Sequence, residues 1–213
     1  MWAVSFAVMG RFKGLILDFA GVLTSNMVEV YGQFEQRERL PSGLVLRGWA
    51  DPRGQDLYRR LELGEITQEE WNEGFGALLG ISAGNLMGRL LYDLFPAYDV
   101  MRVARDARTA GIKTAVLSNS LGRAPHDPYA PYYLPGNFDV SVLSADHGIR
   151  KPDRAIFQLV LQQMGVAARE CVFADDTEEN LRTAYQLGMT VIHALDEQET
   201  AAMLRELLDL PAA

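Results

Sequence analysis

Five short apolar segments, separated by helical patterns, constrain the fold of this 213-residue chain more than any other feature. The segments are Gly14 to Asp18, Thr114 to Leu117, Val140 to Leu143, Cys171 to Ala174 and Thr190 to His193. Short apolar runs without alternation are typical of strands that are buried on both faces of a parallel sheet. Helical patterns at 100–110, 152–164 and 178–187 lie between them, and a glycine directly follows each pattern. This succession predicts a doubly wound α/β sheet.

Residues 25–96 interrupt the succession of strands and helices. No strand pattern occurs there, but helical patterns cover 56–63, 67–79 and 83–94. Thr67, followed by Glu69 and Glu70, is typical of a helix start with a capping hydroxyl and an acidic first turn. We therefore predict a core domain of residues 1–24 and 97–213, with a helical cap of residues 25–96 inserted after the first strand.

Charge, cysteine content and hydropathy limit which partners and which cell compartment are expected for this chain. The formal net charge is −8, and the only lysines are Lys13, Lys113 and Lys151. Nucleic acid demands clustered basic residues, so we predict no nucleic-acid partner. The single cysteine, Cys171, excludes an internal disulfide and favours a reducing compartment. No run approaches the roughly 18 apolar residues of a membrane span, and the first ten residues lack a signal-peptide pattern. We predict a cytoplasmic protein without a membrane partner, in which either Met1 or Met9 is the start.

Polar residues follow four of the predicted strands. In a doubly wound sheet, ligands bind at the carboxyl ends of the strands, so these residues are expected to share one site. They are Asp18 after the first strand, Ser118 and Asn119 after the second, Lys151 beyond the third, and Asp175 and Asp176 after the fourth.

This set of side chains suits phosphoryl transfer. A carboxylate can attack phosphorus and hold the group covalently. Neighbouring carboxylates would repel a phosphate unless a hard cation such as Mg²⁺ bridged them. A hydroxyl, backbone amides near Asn119 and a lysine could bind the phosphoryl oxygens and offset charge in the transition state.

Four sequence motifs stand in order along the chain. They are Leu15-Ile16-Leu17-Asp18-Phe19-Ala20-Gly21-Val22-Leu23, then Leu117-Ser118-Asn119, then Lys151-Pro152-Asp153, then Phe173-Ala174-Asp175-Asp176. In these motifs the chain resembles the haloacid dehalogenase-like (HAD) hydrolase superfamily, and the resemblance covers most of its length. The predicted helical insertion is similar to the cap of the superfamily's cap-type-one members. The resemblance implies a Rossmann-like core and a Mg²⁺-dependent hydrolase.

The resemblance also implies a role for each motif residue. Asp18 would be the nucleophile and a metal ligand. Ser118 and the backbone of Asn119 would hold phosphate, and Lys151 would neutralise the nucleophile and the phosphoryl group. Asp176 would be the first candidate for a further metal ligand and Asp175 the second, with the backbone carbonyl of Ala20 completing the set.

Ala20 departs from the pattern of the superfamily. Phosphatases of this group usually carry a second Asp two residues after the nucleophile, which protonates the leaving group and later activates water. General acid–base help of this kind is worth roughly 10²–10⁴-fold. Three explanations are open: a substrate with a good leaving group or another side chain in that role, a slow or inactive relative, or a different reaction. His126 is the histidine to examine as a substitute.

We predict a Mg²⁺-dependent phosphohydrolase that acts on a small phosphorylated metabolite through an aspartyl-phosphate at Asp18. One alternative is an impaired or inactive relative that binds a phosphorylated ligand or a partner. Another is a non-phosphoryl hydrolase such as a haloacid dehalogenase, although that branch uses no metal and the paired Asp175 and Asp176 argue against it. The phosphonate-cleaving branch requires a cap lysine, and the predicted cap has none. The oligomeric state is left open.

Overall fold

A parallel sheet forms the centre of the computed structural model, which describes residues 12–211. Its five strands run in the order β3-β2-β1-β4-β5. They are β1 (Gly14–Leu17), β2 (Lys113–Ser118), β3 (Val140–Leu143), β4 (Cys171–Asp175) and β5 (Thr190–His193). Leu15 of the central strand lies opposite Thr114 on one side and Val172 on the other. The predicted fold class and its five strands are confirmed.

Helices cover both faces of the sheet. The helices are α1 (Met27–Arg37), α2 (Leu44–Ala50), α3 (Pro52–Glu62), α4 (Gln68–Leu79), α5 (Leu86–Leu90), α6 (Tyr98–Thr109), α7 (Leu134–Asn137), α8 (Arg154–Met164), α9 (Glu178–Gln186) and α10 (Glu197–Leu207). Successive strand residues point to opposite faces, so Leu15 packs in the layer of α6 and α10, whereas Ile16 packs in the layer of α8 and α9. Among residues 12–211, no helix has both the length and the apolar character to cross a membrane.

Three predicted helices differ in extent from the structure. The pattern at 56–63 gives α3, which begins earlier, at Pro52, because Asp51 is its N-cap and accepts a hydrogen bond from the Arg53 N–H at 2.9 Å. The pattern at 152–164 gives a helix that begins only at Arg154, because Asp153 is its N-cap and accepts a hydrogen bond from the Ala155 N–H at 2.8 Å. The pattern at 83–94 gives a helix of only five residues, α5.

Three helices of the structure, α1, α2 and the four-residue α7, were not among the predicted patterns. The start of α2 depends on a distant side chain: the buried Glu35 carboxylate accepts hydrogen bonds from the backbone N–H groups of Gly43 at 2.7 Å and Val45 at 2.8 Å. A capping group eight to ten residues away does not produce a local sequence pattern.

Residues 25–96, called the helical segment below, pack around a separate apolar cluster, to which Leu121 of the loop after β2 also contributes. Trp71 and Phe75 are fully buried there and stack with their ring centroids 4.8 Å apart. The predicted helix start at Thr67 is confirmed, because Thr67 and Glu70 exchange hydrogen bonds as a capping box. Most of the segment's apolar residues are thus used to hold its helices to one another.

The chain leaves and re-enters the sheet layer at adjacent points. Thr24 forms a bridge with Pro96, and the N–H of Ser25 donates to the carbonyl of Phe95 at 2.7 Å. The domain boundaries at 25 and 96 stay a prediction. The parts of the predicted core at 1–11 and 212–213, including both candidate start residues, lie outside the described residues.

Candidate active site

A buried lysine held between two carboxylates forms the base of the site. The Lys151 ammonium lies 2.8 Å from Asp18 Oδ1 and 2.6 Å from Asp175 Oδ2. Lys151 is 1% exposed and Asp175 is fully buried. Burial alone would lower the pKa of Lys151, but the charges of Asp175 and Asp18 raise it above its ordinary value. The lysine is therefore a permanent positive charge beside Asp18.

Backbone hydrogen bonds extend the sheet pattern into the site. The N–H of Asp18 donates to the carbonyl of Ala174 at 2.9 Å, and the N–H of Phe19 donates to Asp18 Oδ1 at 2.6 Å. The N–H of Lys151 donates to Asn119 Oδ1 at 2.8 Å, while Asn119 Nδ2 donates to the carbonyl of Lys151 at 3.1 Å. The end of β2 thus holds the loop that carries the lysine.

Asp175 and Asp176 are neighbours with different surroundings. Asp175 accepts hydrogen bonds from Lys151 Nζ, from the Thr177 N–H at 2.8 Å and from Asn180 Nδ2 at 3.0 Å. Asp176 is exposed and lines the cavity above the site. It approaches Gly21 so closely that a Cβ there would lie 2.6 Å from Asp176 Oδ2. Gly21 also has a φ of 77°, which favours glycine.

The three aspartates fit a divalent cation. Asp18, Asp175 and Asp176 each offer one oxygen, and these oxygens lie within 4.8 Å of one another. Mg²⁺ prefers carboxylate, carbonyl and water oxygens. Burial raises the pKa of Asp18 to about 8; the Lys151 charge opposes this shift, and the charges of Asp175 and Asp176 add to it. Partial desolvation within the cavity and the Asp175 charge also raise the pKa of Asp176, although this residue reaches solvent. A cation would offset this crowding of negative charge.

The residues predicted to bind phosphate take different positions. Asn119 lines the cavity. The Ser118 hydroxyl donates to the Asn119 carbonyl at 3.1 Å and lies 3.4 Å from the phenol oxygen of Tyr129, and Ser118 is not among the cavity-lining residues. Its phosphate-binding role stays a prediction. Ala20 lines the cavity, and the predicted use of its carbonyl as a metal ligand also stays a prediction.

A cavity of about 290 Å³ lies over these groups. It is lined by Asp18, Ala20, Met27, Tyr31, Tyr58, Glu62, Asn119, Arg150, Lys151, Pro152, Asp176, Thr177, Glu179 and Asn180. A larger groove of about 390 Å³ runs along α6 and holds none of these residues, so volume alone does not identify the site.

Four residues of the helical segment, called the helical wall below, close the cavity opposite the strand ends. They are Met27 and Tyr31 of α1, and Tyr58 and Glu62 of α3. Each pair is spaced i, i+4, which places both members on one helix face. Sequence reasoning did not single them out. The i, i+4 spacing was the available signal, but it does not tell which face meets the sheet. His126, the predicted substitute acid, lies in a loop outside the cavity lining, where its N–H donates to Gln68 Oε1 at 2.9 Å.

Known proteins are similar to this chain in sequence. Residues 12–188 match the model of a hydrolase family, the haloacid dehalogenase-like hydrolases. Acyl-CoA dehydrogenase family member 10 from Mus musculus is 31% identical over 209 residues, which cover 94% of this chain and 19% of that protein. A sesquiterpene phosphatase from Aspergillus oryzae is 25% identical over 200 residues, which cover 92% of this chain and 97% of the phosphatase. The chain thus spans less than a fifth of the mouse protein.

Solved structures show the same architecture. A HAD family enzyme from Bacteroides thetaiotaomicron, in complex with magnesium and inorganic phosphate, aligns with a TM-score of 0.56 at 23% identity. The alignment covers 85% of this chain and 93% of that one.

Proposed function

Since this chain belongs to the haloacid dehalogenase-like hydrolase family, we propose that it is a Mg²⁺-dependent phosphohydrolase acting on a small phosphorylated metabolite through an aspartyl-phosphate at Asp18. One observation carries the proposal: Asp18 stands at the base of a cavity, paired with a buried lysine and within reach of two further aspartates. The phosphatase named among its relatives and the magnesium and phosphate in a related structure support it.

The contacts of Asp18, the proposed nucleophile, indicate which of its two carboxylate oxygens would attack. Its Oδ1 is held by the Phe19 N–H and by Lys151, so we assign attack on phosphorus to the other oxygen, Oδ2. A P–O bond forms at Asp18, and the bond to the leaving oxygen breaks. Lys151 offsets the negative charge that gathers on the nucleophile and the phosphoryl oxygens. Water then hydrolyses the acyl phosphate and regenerates the carboxylate.

The metal site of this proposal consists of side chains and one carbonyl. Asp18 and Asp176 would hold Mg²⁺ with the Ala20 carbonyl, and Asp175 would support them while it orients Lys151. Mg²⁺, when bound, supplies charge stabilisation to the phosphoryl oxygens.

The helical segment is proposed to act as the cap that selects the substrate. The volume of about 290 Å³ suits a small molecule. Met27, Tyr31 and Tyr58 line it, so an organic group with apolar surface would find complementary contacts there. Burial raises the pKa of both tyrosines, which keeps their phenols as neutral hydrogen-bond donors.

Phosphate release from a panel of phosphorylated metabolites tests the proposal, with Mg²⁺ and with EDTA. Asp18→Asn removes the nucleophile at constant shape, and Asp56→Asn, an exposed site on α3, is the matched control. Release that requires both Mg²⁺ and Asp18 is the expected result.

Other outcomes separate the alternatives. Silence of folded protein across the panel would overturn the proposal and favour a nearly inactive relative, with Ala20 as the cause. Halide release from 2-haloacids that survives EDTA would favour a non-phosphoryl hydrolase.

A further inference from the structure

The proposed reaction needs a proton donor that Ala20 does not provide. When phosphate is transferred to Asp18, the leaving oxygen of a poor leaving group must gain a proton. Three cavity-lining carboxyl groups other than Asp18 are present among residues 12–211: Glu62, Asp176 and Glu179. Asp176 belongs to the proposed metal site, and Glu179 is exposed at the start of α9. Glu62 is the buried member of the group.

Glu62 is held at the junction between the helical segment and the core. It is the last residue of α3 and is 2% exposed. Its backbone carbonyl accepts a hydrogen bond from the hydroxyl of Ser144, which lies just beyond β3. Gly64 follows with a φ of 69°, and a Cβ there would lie 2.7 Å from the carbonyl oxygen of Ala145. This close contact fixes the end of α3 against the strand ends.

The Glu62 carboxyl faces positive charge on the side of the core. Its Oε2 lies 2.5 Å from Arg150 Nε, and this contact lacks the alignment of a hydrogen bond. Arg150 precedes the catalytic-site lysine and is itself 34% exposed at the side chain. The other groups that face Glu62 are Lys151, Asn119 and, one turn earlier on α3, Tyr58.

This environment suits a group that exchanges protons near neutral pH. Burial raises the pKa of Glu62 to about 7, and the charges of Arg150 and Lys151 and the nearby Asn119 amide limit the shift. An acid whose pKa lies near the working pH is populated in both the protonated and the ionised form, as general acid–base catalysis requires.

We propose that Glu62, from the helical wall, is the general acid and base of the reaction, in the role that Ala20 leaves without a side chain. This inference rests on the proposed phosphohydrolase function. In the first step the P–O bond to the leaving group breaks, and the Glu62 proton passes to the leaving oxygen. In the second step a water attacks the aspartyl-phosphate, its proton returns to Glu62, and inorganic phosphate departs. One ester and one water thus give one alcohol and one phosphate.

Leaving-group dependence tests this role. In Glu62→Gln, turnover of an alkyl phosphate is expected to fall roughly 10²–10⁴-fold. With p-nitrophenyl phosphate, whose leaving group needs no proton, the variant should release about one equivalent of nitrophenol at nearly the wild-type rate. Slow steady-state turnover should follow, because hydrolysis of the acyl phosphate still needs the base. Glu65→Gln, a change at an exposed glutamate three residues away, is the control and should behave as wild type.

A restored aspartate gives a second, independent test. Ala20→Asp should raise alkyl phosphate turnover by a much larger factor in the Glu62→Gln background than in the wild type, since an acid is already present in the wild type. The wild-type comparison does not depend on how well Glu62→Gln folds. A gain of roughly 100-fold or more from Ala20→Asp in the wild type would overturn the role of Glu62. So would a Glu62→Gln variant that releases the first equivalent of nitrophenol as slowly, relative to wild type, as it turns over the alkyl phosphate.

The outcomes distinguish this inference from the function on which it rests. Wild-type phosphate release that Asp18→Asn abolishes and Glu62→Gln leaves intact would overturn only the role of Glu62. Absence of release by both the wild type and Ala20→Asp would overturn the phosphohydrolase proposal, and the role of Glu62 with it.

Discussion

The two walls of the cavity are built in different ways. The core wall consists of strand-end residues whose charges bond to one another, as Lys151 does to Asp18 and Asp175. The helical wall has two tyrosines, a methionine and a single carboxyl, Glu62. Two helices carry these residues, α1 and α3, and both pack mainly against the other helices of the helical segment. In the proposed reaction, the sheet would position the groups that transfer the phosphoryl group, and the docking of the helices would determine what surrounds the leaving group.

The attachment of the two walls differs as well. Adjacent strands hold the core wall through continuous backbone pairing. The helical segment is hydrogen-bonded to the loop after β2 through the buried side chain of Gln68. Its Nε2 donates to the carbonyls of Leu121 at 2.8 Å and His126 at 3.0 Å, and its Oε1 accepts from the His126 N–H. Substitutions in either wall can therefore test this difference.

Loss of the buried lysine should have the largest effect. Lys151→Met leaves the Asp18 and Asp175 carboxylates without their shared cation, and breaking a buried ion pair costs about 3–5 kcal/mol in the free energy of unfolding. Urea unfolding in EDTA measures the change. Lys113→Met, at a half-exposed lysine, should stay within about 0.5 kcal/mol of wild type. Equal effects of the two substitutions would contradict the special status of the core wall.

The pH dependence of stability should reveal the carboxyl of the helical wall. The pKa of Glu62 is about 7 in the folded protein and near 4.5 when unfolded. The folded state therefore binds more protons between these values, and wild-type stability should fall as pH rises from 4.5 to 7. Glu62→Gln does not titrate at this position. Between pH 4.5 and 7, its free energy of unfolding should therefore rise by on the order of 3 kcal/mol relative to that of the wild type.

Urea unfolding at pH 5 and pH 8 gives this difference. Glu65→Gln is the control, and its difference in stability from the wild type should be the same at both pH values. A difference between wild type and Glu62→Gln that does not change with pH would show that Glu62 titrates as an ordinary surface glutamate.

Substitutions of the two adjacent aspartates at the end of β4 should have different effects, one mainly on stability and the other mainly on metal binding. Asp175→Asn removes a charged acceptor of Lys151 and should lower the free energy of unfolding by about 1.5–3 kcal/mol. Asp176→Asn, on an exposed residue, should change it by less than about 0.5 kcal/mol without metal. The stabilisation that Mg²⁺ adds should shrink in Asp176→Asn. Thermal unfolding across a Mg²⁺ titration measures this, and undiminished stabilisation would remove Asp176 from the metal site.

The join between the helical segment and the core should give the smallest change. Gln68→Ala loses hydrogen bonds to the loop after β2, at a net cost of about 1–2 kcal/mol. Hydrogen exchange should rise in the helical segment more than in the strands. Gln55→Ala, at an exposed position on α3, should leave the exchange pattern unchanged. Uniform acceleration in both regions would mean that the two walls unfold as one unit.

The contents of the core wall could be predicted without coordinates. More than a hundred residues separate Asp18 from Lys151 and Asp175, yet each of the three comes after a strand pattern. Parallel strands bring their carboxyl ends to the same edge, so strand order is not needed to infer that such residues meet. The same reasoning does not tell the two adjacent aspartates apart, because their contacts with Lys151 and Asn180 depend on side-chain geometry.

The helical wall could not be predicted from the sequence, and the reason is physical. Apolar periodicity predicts that a helix forms and which face is buried, but in this segment much of that surface packs within the segment, as Trp71 does. The start of α2 depends on Glu35, which reaches across a turn.

The sequence by itself determined the α/β sheet and the set of polar residues at its edge, because strand periodicity and chain direction are local properties. Only the tertiary structure decided that Glu62, and not His126, lines the cavity with Ala20. That placement depends on how α3 docks against the strand ends through Ser144 and Gly64, and docking is set by contacts between residues far apart in the chain.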